Sequence, residues 1–292
     1  MPAQVRVYDA TLRGARPAGN TGAVDIARRL ASVGVVTIEA GYPASGNQAA
    51  EAVRRVAEAI RACEVAALAR CVPEEIDAAA DAVEPAAQPV IHVFMDAGQA
   101  GDIGRAAQAR AAVVRMIERG VARARARVPI VQFSVESAAA IERPFLKQCV
   151  ETAVLAGARR IGLGGVSGPA GSDAYAALIG DIVRFVDRDV TVSASCHGNQ
   201  AIAGTVAAIA AGARQIEVAA GSGGELPRLD AIAEAVAATV GGMPGFAGCA
   251  QAAGEIARLL EPSHATPWRW GAMPESAATA IRPAAAVEVA FL

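Results

Sequence analysis

Ala23-Val24-Asp25-Ile26-Ala27-Arg28-Arg29-Leu30-Ala31-Ser32-Val33-Gly34-Val35-Val36-Thr37-Ile38-Glu39-Ala40 is the stretch whose reading decides the fold. From Ala23 to Val33 apolar residues recur at spacings of three and four with arginines opposite, as in a helix that lays one face on a sheet. The pattern stops at Gly34, where a left-handed residue past a helix end is favoured. Val36 to Ala40 is then a short apolar run with β-branched residues, which reads as a buried strand. The rest of the chain repeats this helix–glycine–strand unit. Gln48 to Arg61 is a second amphipathic stretch, and Gly157 and Gly212 punctuate later ones. Strands are expected at Val5 to Ala10, Val36 to Ala40, Val65 to Arg70, Pro89 to Met95, Ile130 to Glu136, Arg160 to Gly164, Val190 to Cys196 and Gln215 to Ala220. Strands alternating with helices make a parallel α/β fold, and eight such units close into a (β/α)8 TIM barrel. An open doubly wound sheet would carry G-x-G-x-x-G after its first strand, and Thr11 to Thr21 does not match it.

The barrel is expected over residues 1–240, followed by a short C-terminal extension over 241–292. That extension holds one helical stretch, Phe246 to Leu260, and a proline-rich segment around Pro262, Pro267 and Pro274. Trp268, Arg269 and Trp270 read either as packing residues or as a binding lip.

Composition narrows the function classes. Hydrophobic residues are 53% of the chain, mostly alanine and valine interrupted by charges and glycine, and no run approaches the roughly 18 apolar residues of a membrane span. Met1 to Tyr8 lacks the basic and apolar regions of a secretory leader, so a cytoplasmic protein with no membrane partner is expected. Five scattered cysteines, Cys63, Cys71, Cys149, Cys196 and Cys249, suit neither a disulfide framework nor a zinc ribbon. A net charge of −2 with dispersed arginines offers no basic face for nucleic acid. The lysine at 147 lies in a helical stretch, whereas an imine-forming lysine belongs at a barrel strand end.

Chemistry in such a barrel sits at the C-terminal ends of the strands, and there the residues resemble a family. Asp9-Ala10-Thr11-Leu12-Arg13 is similar to the D-T-T-L-R-D-G-E-Q opening of the metal-dependent lyases and synthases that include isopropylmalate synthase, homocitrate synthase and HMG-CoA lyase. Ile38-Glu39-Ala40-Gly41-Tyr42-Pro43 resembles the family's I-E-A-G-F-P, and Leu68-Ala69-Arg70 its L-A-R. Ile91-His92-Val93-Phe94 resembles I-H-x-F, Phe133-Ser134-Val135-Glu136 resembles F-S-x-E, and Ala211-Gly212-Ala213-Arg214-Gln215-Ile216-Glu217 resembles A-G-A-R-x-V-E. The resemblance runs over residues 5–240 and implies carbon–carbon bond formation or cleavage on a 2-oxo acid, an acyl-CoA or both. It allows a homodimer or a homologous subunit as partner.

The departures fall on the positions that the resemblance assigns to a divalent metal. Gly14 stands where the family has a ligating Asp, followed by Ala15 and Arg16 in place of Gly and Glu. The H-x-H of strand seven matches Ser195-Cys196-His197 if about two residues are deleted, or Ser193 and Ser195 if none are. Gly165-Val166-Ser167-Gly168 replaces D-T-x-G, and the loop Gly221 to Leu229 lacks the ligating Asn. A hard cation needs several converging donors. Tight metal binding is therefore not expected, nor any other tightly held cofactor, and acyl-CoA enters only as a substrate.

The expected catalytic set is Arg13, Glu39, Glu136 and His197, with Arg16, Arg70, His92 and Asn199 on the substrate side. Arg13 takes by resemblance the role of stabilising an enolate or keto oxygen, against an ordinary salt bridge to Glu39. Burial at the mouth would raise the carboxyls of Glu39 and Glu136 into acid–base range, unless they merely neutralise Arg13 and Arg70. His92 reads as a proton shuttle or as a hydrogen-bonded core residue, and His197 as a base. Cys196 reads as structural unless a neighbour lowers its pKa. Arg16 brings a cation close to the lost metal position. A catalytically silent barrel that binds a small carboxylate through Arg13 and Arg70 is the reading of another class.

Overall fold

The computed structural model describes residues 5–13, 21–96, 107–166, 171–220, 226–240 and 248–260. The strands are β1 (Arg6–Asp9), β2 (Thr37–Gly41), β3 (Glu64–Arg70), β4 (Pro89–Asp96), β5 (Ile130–Glu136), β6 (Arg160–Val166), β7 (Thr191–His197) and β8 (Gln215–Val218). They form a closed barrel in sequence order, with β8 pairing in parallel with β1. Helices α1 (Gly22–Ser32), α2 (Asn47–Ala59), α3 (Pro73–Val83), α4 (Ala107–Arg127), α5 (Arg143–Leu155), α6 (Gly171–Phe185), α7 (Ala201–Ala210), α8 (Leu229–Val240) and α9 (Cys249–Leu259) are found among the described residues. The chain is a TIM barrel, as the alternation predicts.

Alternation along each strand divides the side chains between two environments. The outer faces, with Val7, Ile38, Val65, Ile91, Phe133, Ile161 and Ile216, join Leu30, Val56, Ile76, Ile117, Leu146, Ile179 and Ile232 of the helices in one buried apolar layer. Burying each such side chain contributes about 1.5–3 kcal/mol. The inner faces are largely polar. At the floor Arg160 donates to both oxygens of Glu64 at 2.7 Å and Arg6 adds a contact at 2.8 Å. Burial would raise the Glu64 carboxyl, but hydrogen bonds and charge from Arg160 hold it below the usual range. Among the described residues, inward apolar side chains form two small clusters, Tyr8, Ala66 and Val90 lower down and Tyr42, Leu68 and Phe94 near the mouth.

Two local differences from the expected strands bear on the site. The pairing of β2 with β3 shifts register between Glu39 and Gly41, a bulge that re-aims the strand end. Gly41 lies at φ +145°, and a Cβ there would meet Val53 at 3.3 Å. Strand β7 runs one residue further than expected, so His197 belongs to the strand and shares the inner face with Ser195. Beyond the barrel, α9 is held to α1 by Arg29 and Glu255 at 2.8 Å. Residues 261–292, including Trp268, Arg269 and Trp270, lie outside the described residues, as does Arg16.

Candidate active site at the barrel mouth

Arg13 ends a single 3-10 turn, Thr11–Arg13, directly after β1. Asp9 Oδ1 accepts from the Thr11 backbone N–H at 2.9 Å, and Thr11 Oγ1 accepts from the N–H of Ala220 at 2.7 Å. These bonds tie the turn to the end of β8 and aim Arg13 across the mouth. Its guanidinium is buried and donates from Nη2 to Glu39 Oε2 at 3.0 Å and to Glu217 Oε2 at 3.2 Å, with a further close bond from Nε to Glu39. The salt bridge to Glu39 is therefore present. Glu39 also accepts from the Tyr8 hydroxyl at 2.5 Å and pairs with His92 Nδ1 at 2.8 Å.

Here one expectation needs correction. Burial would raise the Glu39 carboxyl, but Arg13 and the bond to His92 outweigh it and bring the pKa down to about 2. Glu39 is an ionised anchor for Arg13 with no raised pKa to exploit. Arg70 corrects another: it pairs with Glu75, through Nε at 2.7 Å and its backbone N–H at 3.0 Å, and Tyr42 donates to the same carboxylate at 2.6 Å. Helix α3 thus supplies the counter-charge that Glu136 would give if the two glutamates merely neutralised the arginines.

Glu136, at the end of β5, behaves oppositely to Glu39. It is 1% exposed, its Oε1 has no hydrogen-bond partner, and its pKa is pushed well up, first by burial and then by the charge of Glu217. Burial and a neighbouring carboxylate both favour the neutral form of such a group. Its side chain lies across the bare inner face of β6, where a Cβ on Gly164 would sit 2.0 Å from Oε2. Strands two apart are roughly 9.5 Å from each other. The carboxyl of Glu136 and His197 Nε2, on β5 and β7, nevertheless approach to 3.8 Å across that glycine.

His197 is 6% exposed and its Nε2 lies 3.0 Å from Ser195 Oγ. Burial lowers its pKa to about 4, against the opposing charge of Glu217, so the imidazole is neutral near pH 7. The sign follows: the unfolded chain takes up this proton below about pH 6.5 and the folded one only near 4, so stability falls across that window. The loss is at most about 3 kcal/mol. Replacing His197→Gln should flatten the acid side of a urea-denaturation profile measured from pH 7 to pH 4; an unchanged slope would refute the assignment.

The remaining candidates separate by position. His92 is fully buried, with Nδ1 on Glu39 and Nε2 2.6 Å from Ser134 Oγ, which is the hydrogen-bonded core arrangement beneath the mouth. Cys196 is buried on the other side of β7 and burial pushes its thiol up to about 11, so no neighbour activates it. Asn199 is exposed just past β7. Sequence reasoning passed over Glu217 and Ser195 as site residues. Glu217 accepts from Arg13, from Ser195 Oγ at 3.1 Å and from Gln132 at 3.2 Å, and its place in the A-G-A-R-x-V-E match was the available signal.

The described donors at the mouth are committed to one another. Among the described residues no three His, Cys, Asp or Glu side chains converge to hold one. At the end of β7, Ser195 is engaged with both His197 and Glu217, and Glu217 with Arg13. A hard cation needs several oxygens aimed at one point.

A family model described as HMGL-like matches residues 5–253. The chain belongs to the HMGL-like family. Among curated relatives, the 2-isopropylmalate synthase of Caulobacter vibrioides is 38% identical over 231 residues, covering 76% of this chain and 44% of that protein. The 2-isopropylmalate synthase of Staphylococcus saprophyticus is 35% identical over 226 residues, with 74% and 44% covered. The chain thus spans less than half the length of these relatives. Among solved structures, the HMG-CoA lyase of Bacillus subtilis superposes with a TM-score of 0.67 at 15% identity, covering 88% of this chain and 94% of that one. The HMG-CoA lyase of Brucella melitensis gives 0.62 at 18%, with 88% and 99% covered. At such identities these two speak for the shared barrel alone. No helix among the described residues is long and apolar enough to cross a membrane.

Proposed function

We propose that this HMGL-like barrel forms or cleaves a carbon–carbon bond beside the carbonyl of a 2-oxo acid or an acyl-CoA thioester, without a divalent metal. The observation that carries the reading is Glu136: a buried carboxyl with a raised pKa and an unpartnered oxygen at the barrel mouth. A carboxylic acid kept neutral can donate to the oxygen of an enolate or alkoxide as charge develops. Arg13, a fixed guanidinium held between Glu39 and Glu217, adds a preorganised positive field. His197 serves as the proton acceptor, and Arg70, Asn199 and Arg16 are the groups proposed to meet the substrate's carboxylate or thioester. Tyr8, Glu39 and His92 hold Arg13 from below. Kinship with 2-isopropylmalate synthases supports the reaction class.

The test is thiol release from acetyl-CoA with a panel of 2-oxo acids, using chelator-treated protein with and without Mg²⁺, Mn²⁺ or Zn²⁺. A protein-only control accounts for the five cysteines. Turnover without metal is the expected result. Turnover only with metal would overturn the metal-free chemistry, and silence throughout would favour the catalytically silent carboxylate-binding barrel.

A further inference from the structure

We propose that Gln132 is a positioning residue for Arg13: its amide closes a circuit of buried side chains, Arg13, Glu39, His92, Gln132 and Glu217, that ties together the two carboxylates clamping the guanidinium. Its part in turnover rests on the reaction proposed above. Gln132 lies on β5, two positions before Ser134 and four before Glu136, so the three share the inner face. It is fully buried, and its NH2 group donates to Glu217 Oε1 at 3.2 Å and approaches His92 Nε2 at 3.4 Å. Glu217 Oε2 meets Arg13 at 3.2 Å, Arg13 meets Glu39 Oε2 at 3.0 Å, and that same oxygen meets His92 Nδ1 at 2.8 Å. The members come from β2, β4, β5, β8 and the turn after β1, so the circuit exists only in the closed barrel. Gly162 on β6 makes room for it: a Cβ there would lie 2.0 Å from Ser134 Oγ and 3.6 Å from Gln132 Nε2.

The fixed charges decide which way the amide and the imidazole turn. A carboxylate beside a guanidinium accepts at both oxygens, so the end of Gln132 that faces Glu217 Oε1 is the NH2. The carbonyl end then faces Gln215, whose NH2 donates to it at 2.7 Å and to Ser193 Oγ at 3.0 Å. Turning both amides over would place two acceptor oxygens 3.2 Å apart at Glu217 with no proton between them, an uncompensated contact in a low-dielectric interior. At the other end Glu39, with its pKa brought down to about 2, is an acceptor, and the Tyr8 hydroxyl proton goes to it at 2.5 Å. Nδ1 of His92 must therefore carry its own proton. A neutral imidazole then has its lone pair on Nε2, which accepts from Ser134 Oγ at 2.6 Å and faces the NH2 of Gln132. Around the circuit each donor meets an acceptor, and the two clamps of Arg13 are held in one sense. Without the Gln132 amide they are no longer joined beneath the guanidinium.

The test begins with uniformly ¹⁵N-labelled wild type at pH 8, above the ordinary histidine pKa of about 6.5, where long-range ¹H–¹⁵N correlation separates a protonated imidazole nitrogen from a bare one. The chain has three histidines, and His197→Gln and His264→Gln identify the other two signals. The expected result is the Nδ1–H form of His92; an Nε2–H form, which needs no core variant to fold, would overturn the circuit. The second reading is the guanidinium signal of Arg13, identified by its loss in Arg13→Met. Rotation of the guanidinium should be hindered in the wild type and faster in Gln132→Met, a near-isosteric change that removes the amide, with the backbone spectrum otherwise kept. An unchanged Arg13 signal in the folded variant would overturn the positioning role. In the thiol-release assay Gln132→Met should lower kcat by about tenfold to a hundredfold, the scale of lost geometry at a reacting centre, with KM little changed. It should add little to Glu217→Gln, because both act through one carboxylate. Full additivity, or a loss expressed in KM alone, would overturn the role. A wild type that turns over no substrate would overturn the proposed function, while the two spectroscopic results would still decide the role of Gln132.

Discussion

Replacing Glu39→Gln should lower the stability of the barrel by about 3–5 kcal/mol, the typical consequence of removing one partner of a buried ion pair. Glu39 is fully buried and meets Arg13, the Tyr8 hydroxyl and His92 Nδ1. The amide keeps the shape but loses the charge, and its NH2 group faces donors where the carboxylate accepted. Arg13 would be left buried with Glu217 as its carboxylate partner among the described residues. The check is urea denaturation at pH 7, with Arg13→Met and the double variant completing a cycle. The double variant should cost much less than the sum of the two singles, because it removes the uncompensated charge together with its partner. A single-variant cost under about 1 kcal/mol would refute the anchoring role given to Glu39.

Glu136→Gln is expected to lower turnover by about 10²–10⁴-fold, the range for a general acid, while leaving the fold intact. The two effects separate by pH. The folded Glu136 carboxyl is raised, so its contribution to stability is fully present below about pH 4.5, the unfolded value, and is lost as pH rises towards the folded pKa. Glutamine cannot ionise. The variant should therefore gain stability relative to the wild type on going from pH 5 to pH 8, even as activity disappears. Equal turnover in wild type and variant would remove Glu136 from the mechanism, and a stability difference independent of pH would show that its carboxyl is not held neutral.

Particular residues mark how far the sequence could be read. His197 and Glu136 were legible as strand-end residues, because periodicity counts inward positions and glycines locate the turns. Their contact was not. It depends on Gly164, whose bare backbone lets two side chains meet from strands that are not neighbours, and no spacing along the chain encodes that. Arg70 was legible as a mouth cation, but its partner Glu75 comes from the first turn of α3, which folds back over the strand it follows.

The eightfold alternation, the strand ends on which the polar residues sit and the family were determined by the sequence itself, since each rests on local period or on short ordered motifs. The tertiary structure alone decided which charges pair and which groups keep their protons. Arg13 and Glu217 are separated by 204 positions in the chain, and only barrel closure brings them together. Glu39 and Glu136 are the same residue type at similar strand ends, yet one is driven down to about 2 and the other well up. Both are enclosed to the same degree; what differs is whether a guanidinium is within hydrogen-bond reach, and that distance exists only once the chain has folded.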